Sequence, residues 1–184
     1  MENKILEMLC SKIFHDMGNA VANISLYNDL ISIDESSLSA SEVISINKKV
    51  INSFKVLKYA FASDLSTVGF FQDLQKYCQY KIIDMNYVVS PNPTIHKTCY
   101  QVIANLVLYI DSLQYKDKKI DVNIMEKSME ITVNNIIDIS HPNKNINIYF
   151  LLAITQNNDI KIHISQENQL CYRLTFEYPP SNKD

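Results

Sequence analysis

The sequence predicts an α+β protein, an N-terminal antiparallel helical hairpin followed by a two-layer α/β sandwich. Three observations carry that expectation. Apolar residues recur at helical spacing through two long stretches before residue 63. The pattern changes character at Ser63-Asp64-Leu65-Ser66-Thr67. Beyond it, four segments alternate apolar and polar residues in two pairs, with a helical stretch between the pairs. The expected limits are 1–63 for the hairpin, 64–178 for the α/β domain and 179–184 for a flexible tail, Pro179-Pro180-Ser181-Asn182-Lys183-Asp184, which has nothing to bury.

The first helix is expected from about Glu2 to Ile31. At about 100° of rotation per residue, Ile5, Leu9, Ile13, Ala20, Ile24, Tyr27 and Ile31 fall in one narrow sector. The polar run Ser32-Ile33-Asp34-Glu35-Ser36-Ser37-Leu38 breaks the pattern and reads as a turn. Ser39-Ala40-Ser41-Glu42 then fits a capping box, in which the serine accepts from the third helical amide and the glutamate reaches back. Val43, Ile46, Val50, Phe54, Leu57 and Phe61 continue at helical spacing to about Ser63. Two helices of similar reach on a short loop make a hairpin, and one hairpin cannot bury both stripes. A four-helix bundle made by two copies buries them, so a homodimer through residues 1–63 is expected.

In the second domain a helix from about Val68 to Tyr80 leads into a strand near Ile82–Val89, closed by Ser90-Pro91-Asn92-Pro93. The helix Ile95 to about Gln114 follows, with Cys99, Val102, Ile103, Leu106, Ile110 and Leu113 toward the core. Ile120, Val122 and Ile124 pair with Met129, Ile131 and Val133. After a helix from about Asn143 to Gln156, carrying Ile146, Tyr149, Phe150 and Ile154, a second pair sets Ile160, Ile162 and Ile164 against Leu170, Tyr172, Leu174 and Phe176. That arrangement leaves Lys161, His163, Arg173 and Glu177 outward: a sheet with one wet face and helices on the other.

Composition narrows the function classes. The chain has 184 residues, 47% of them hydrophobic, enough for a proper core. Its net charge is −3, Arg173 is its only arginine, and no basic stripe is present, so nucleic acid is not an expected partner. No apolar run reaches the length of a membrane span, and Met1-Glu2-Asn3-Lys4 does not open a signal peptide; the expected compartment is the cytoplasm. Cys10, Cys78, Cys99 and Cys171 share no metal or disulfide spacing and are expected to be buried, reduced thiols.

One stretch carries chemistry. His15 lies roughly 140° from the centre of the first helix's apolar sector, so it faces water or a partner. Ser11, Gly18 and Ala22 are small residues one or two turns away, with Lys12 and Asn19 flanking. Gly18, one of only two glycines, costs roughly 1 kcal/mol in a helix interior, a cost that makes sense where a second protein must approach the imidazole. A neutral imidazole, with an ordinary pKa of about 6.5, is a competent nucleophile near pH 7. Asp16 is placed to hold a ring proton and fix the tautomer, and Lys12 to screen incoming negative charge.

The hairpin with an outward His-Asp, followed by a helix–strand–helix–strand–strand–helix–strand–strand domain, resembles the dimerisation and catalytic-like halves of sensor histidine kinases. His15-Asp16-Met17-Gly18-Asn19 is similar to their His-acid-x-x-Asn/Thr motif. In size the chain resembles the stand-alone histidine phosphotransferases of the ChpT type, and in plan also the sporulation-relay phosphotransferase. In topology the resemblance covers nearly the whole chain; only the first helix carries a specific motif. It implies a degenerate kinase-like ATPase domain, since the glycine-rich nucleotide loops are missing: Gly18 and Gly69 are the only glycines. Gln101-Val102-Ile103-Ala104-Asn105-Leu106-Val107-Leu108-Tyr109 resembles the asparagine box with Tyr109 where the magnesium-binding asparagine would stand. Val133-Asn134-Asn135-Ile136-Ile137-Asp138, at the place of an Asp-x-Gly-x-Gly, has no glycine. No cofactor of its own is expected; magnesium belongs to the partner receiver domain.

The implied activity is that of a histidine-containing phosphotransferase in a phosphorelay, passing phosphoryl groups between receiver-domain aspartates through His15 without ATP-dependent autophosphorylation. Asn19, by the same resemblance, orients a water for slow dephosphorylation. Response-regulator receiver domains are the implied partners, with a hybrid histidine kinase as a further candidate. The alternative is a non-catalytic, kinase-like dimer that binds and sequesters a response regulator. The bland readings stand beside these: Asp16 and Lys12 as solvated helix charges, Gly18 as a helix-packing contact, and His96, His141 and His163 as a helix-start, a loop and a wet-face residue with no ligand spacing.

Overall fold

The computed structural model describes residues 22, 40–61, 68–90, 97–126, 128–134, 144–168 and 171–178. The elements in order are α1 (Ala40–Phe61), α2 (Phe70–Tyr80), β1 (Ile83–Val89), α3 (Lys97–Ser112), β2 (Lys118–Ile124), β3 (Ser128–Val133), α4 (Ile146–Asn157), β4 (Lys161–Asn168) and β5 (Cys171–Glu177). The first predicted helix, apart from Ala22, and the capping serine Ser39 lie outside the described residues. Contacts divide the chain into two units, Met1–Phe54 and Lys55–Asp184. The last turns of α1, Lys55–Phe61, therefore count with the second.

The five strands form one mixed sheet in the order β1-β2-β3-β5-β4. β1 and β2 run parallel, with α3 as the crossover between them, and every other pair is antiparallel. The predicted pairing of these two segments holds, and its antiparallel register sets Ile120 opposite Val133, Val122 opposite Ile131 and Ile124 opposite Met129. In the second pair Ile162 faces Phe176 and Ile164 faces Leu174. Side chains alternate as a half-buried sheet requires: Ile83, Met85, Ile120, Val122, Met129 and Ile131 are buried, while Asp84, Asn86, Lys119 and Asn123 are exposed. The buried face shares one core with Phe70, Leu74 and Tyr77 of α2, nearly all of α3, and Ile148 and Leu151 of α4. This is the expected two-layer α+β arrangement.

Helices follow the sequence less closely than strands. α3 is buried almost all round, from Thr98 to Tyr109, not along one stripe, because it lies deepest between the sheet and its neighbours. α4 buries Ile146, Asn147, Ile148, Leu151 and Thr155, leaving Tyr149, Phe150 and Ile154 half-buried. An apolar run without a polar face gives no period from which to choose its inner side. In α1 the expected stripe member Phe54 is exposed, and the fully packed residues of the last turns are Val56, Tyr59 and Ala60. Tyr59 joins an aromatic group at the start of α2, where it, Phe71 and Tyr100 all set their rings edge-on or nearly so to Phe70 at 4.7–5.1 Å.

Helix ends are unusual for a chain so poor in glycine. α2 begins at Gly69, whose φ of 81° places it in the left-handed region and whose carbonyl accepts from the Asp73 amide at 2.9 Å. α4 ends in a Schellman motif: the amides of Asp159 and Ile160 donate to the carbonyls of Gln156 and Thr155. The left-handed position there is Asp159, at φ 54°, and the matching position after α2 is Ile82, at φ 57°.

Candidate functional site

The residues that carry the predicted chemistry, His15, Asp16 and Asn19, and the flanking Ser11, Lys12 and Gly18, lie outside the described residues. Of the predicted partner-facing set, Ala22 is described; it is helical and exposed.

Asn105 sits at the centre of α3, fully buried. Its amide donates to the Ala60 carbonyl of α1 and to the Gln101 carbonyl one turn back, both at 2.9 Å. Its Oδ1 is buried with no partner among the described residues. The first asparagine of the box-like segment thus acts as a clip between α3 and the end of α1. Tyr109, one turn further on, is 6% exposed. Its carbonyl accepts from the Ser112 hydroxyl at 2.5 Å. The position that the resemblance gives to a magnesium-binding carboxamide is therefore filled by a packed phenol. At the end of β3, Asn134 accepts a hydrogen bond from the Lys119 amide through Oδ1 and donates through Nδ2 to the Asp117 carbonyl. Residues 135–140 lie outside the described residues.

Two acids in the second unit bind its helices together. Asp73, buried on α2, accepts from the Lys55 ammonium at 2.9 Å and from the Tyr59 hydroxyl at 3.2 Å. Burial and the neighbouring Asp73 carboxylate raise the Tyr59 pKa above its ordinary value. Asp111 on α3 accepts from the Tyr77 hydroxyl at 2.8 Å and pairs with Lys81 at 3.1 Å, while its carbonyl takes the Lys118 ammonium at 2.9 Å. Sequence reasoning missed both acids. A signal for Asp73 was available, since it shares the helical sector of Phe70, Leu74 and Tyr77. Asp111 lies beyond any local signal, because Lys81 and Lys118 come from other elements.

The outward face of the sheet is polar, as expected, with one refinement. Lys161, His163 and Glu177 are exposed, but Arg173 is half-buried, bound to Glu167 at 2.5 Å. The expectation of buried thiols holds for Cys78 and Cys99 and fails for Cys171, which is partly exposed at the start of β5. The reason is register: Cys171 falls beside Asp121 and Glu167 on the polar face. Cys10 lies outside the described residues. Among the described residues no group of three His, Cys, Asp or Glu side chains is arranged to hold a metal ion, and no helix is long and apolar enough to cross a membrane.

No family model and no curated protein matches the sequence. Solved structures do match the fold. A bacterial phosphotransferase superposes over 96% of this chain and 97% of its own, with a TM-score of 0.74 at 13% identity. The blue-light activated histidine kinase of Erythrobacter litoralis EL346 superposes over 95% of this chain and 61% of its own, with a TM-score of 0.50 at 10% identity. A helical segment feeding a mixed five-stranded sheet is thus an architecture this chain shares with a bacterial phosphotransferase and, more loosely, with a histidine kinase.

Proposed function

We propose that the protein is a histidine phosphotransferase of a two-component phosphorelay, with His15 as the phosphoryl carrier. The observation that carries this reading is the likeness to a bacterial phosphotransferase over nearly the full length of both chains. The sequence supplies the chemistry that this fold needs, an outward His15-Asp16 on the first predicted helix. The imidazole nitrogen attacks the phosphorus of a receiver's aspartyl phosphate; the P–O bond to the aspartate breaks and a P–N bond forms. The reverse sequence on a second receiver completes the transfer. Asp16 holds the proton on the other ring nitrogen, Lys12 offsets the charge of the arriving phosphoryl group, and Gly18, Ser11 and Ala22 leave room for the receiver. Magnesium is held by the receiver. Asn19 supports slow hydrolysis of the phosphohistidine.

The working form in this reading is a homodimer through the hairpin. Ile44, Ile51 and Phe54 of α1 support it: they are exposed large apolar residues at spacings of seven and three, one seam along the helix. The second unit serves as scaffold and docking surface, with Asn105 and Tyr109 committed to packing.

The test is transfer of labelled phosphate from a phosphorylated receiver to the native chain and to His15→Ala. Acid-labile label on the native chain alone is the expected result. Equal labelling of both chains would remove His15 as the carrier, and label on neither while receiver binding persists would replace this reading with that of a sequestering dimer.

A further inference from the structure

β4 is the outermost strand of the sheet, paired with β5 alone. Its eight residues include no proline or glycine, so its outer edge presents a ladder of backbone groups ready to pair. The register places Ile164 at the end of a row that runs Val122, Ile131, Leu174, Ile164 across the helix-side face. The first three are buried, and Ile164 is 36% exposed. The row is apolar to its last member, and that member is the one left open to solvent.

The charges around Ile164 say what closes it. Three residues before it stands Lys161 and three after it Glu167, both on the outward face. In an antiparallel pairing of this strand with itself, centred on Ile164, Lys161 of one copy falls opposite Glu167 of the other, twice. His163 falls opposite Ser165, and Ile164 meets its own counterpart beside the apolar row. One oxygen of Glu167 holds Arg173 at 2.5 Å, and the other, 3.7 Å from the Cys171 thiol, remains to face a second cation. The irregularity between Gln166 and Asn168 falls on Glu167, the last charged position of the pairing.

We propose that β4 pairs edge to edge with β4 of a second copy about a two-fold axis at Ile164, joining two five-stranded sheets into one of ten strands. Such an interface is self-complementary and independent of the hairpin. It does not rest on the phosphotransferase reading. With both contacts in place, dimers would associate further into larger assemblies.

The experiment is size-exclusion chromatography with light scattering on the full chain at rising concentration, comparing native protein with Ile164→Lys and Lys161→Glu. The native mass is expected to rise with concentration to at least twice that of Ile164→Lys, and further still where the hairpin also pairs, with Lys161→Glu between them. Hydrogen exchange on the native chain gives a readout free of mutation: amides of 161–167 should gain protection as concentration rises. Equal masses for all three chains, with exchange at 161–167 independent of concentration, would overturn the proposal. So would protection that appears only when a different protein is added. Should Ile164→Lys fail to fold by circular dichroism, Lys161→Glu and the exchange data decide.

Discussion

Ile82 holds a left-handed backbone, φ 57°, with its side chain 86% exposed. A β-branched residue pays about 1–2 kcal/mol for that conformation, and here no burial offsets it. Replacement by glycine is therefore expected to stabilise the protein by about 1 kcal/mol, less than the full strain because glycine also loosens the unfolded chain. A raised melting temperature for Ile82→Gly checks this, and a lowered one would mean that the exposed side chain has a partner in solution. Cys78 gives a prediction of a different kind. Burial, helped by the nearby Asp111 carboxylate, pushes its thiol from 9.0 up to about 12. Below pH 9.0 the thiol is protonated in both states and costs nothing. Between 9.0 and about 12 the unfolded chain releases a proton that the folded chain keeps, so stability falls across that window. Tyr59 and Tyr178, also raised, act with the same sign at higher pH. Melts recorded through the window should show a shallower decline for Cys78→Ala than for the native chain. In the same native protein Cys171 should be alkylated while Cys78 stays unmodified until unfolding.

At the scale of elements, α1 offers the sharpest test. Ile51 is more than half exposed, so a glutamate there removes little packing within one chain, yet it places charge in the middle of the Ile44–Ile51–Phe54 seam. Ile51→Glu is expected to halve the mass of the hairpin-mediated dimer in light scattering while leaving the melting of the second unit unchanged. An unchanged mass would remove the four-helix bundle from the reading. The elements also show what a sequence can and cannot disclose. Alternation is local, so the pairing of the segment Ile120, Val122 and Ile124 with Met129, Ile131 and Val133 was legible. The parallel contact of β1 with β2 and the insertion of β5 between β3 and β4 depend on segments far apart in the chain, and no periodicity reports them. The buried sides of α4 and of the last turns of α1 were misjudged for a related reason: apolar residues on several sides leave tertiary packing to choose. Of the candidate site, His15 and its neighbours were legible as a motif, and only Ala22 of that set is described structurally. Asn105 was legible as part of a kinase-like helix; its role as a clip to Ala60 was not, because the acceptor is a backbone carbonyl 45 residues away.

Over the whole molecule, the order of strands in space departs from their order in the chain at one place, and this bears on how the protein is made. β4 has a single neighbour, β5, and β5 is also the bridge by which β4 reaches the rest of the sheet. During synthesis β4 emerges from the ribosome ahead of the strand that holds it. Until β5 follows, β1, β2 and β3 form an unfinished sheet with the β3 edge open, and β4 is an unattached segment carrying Ile162 and Ile164. The fold is thus completed by its last strand and not from its start, and the interval before that strand arrives is when the nascent chain most needs protection from mispairing.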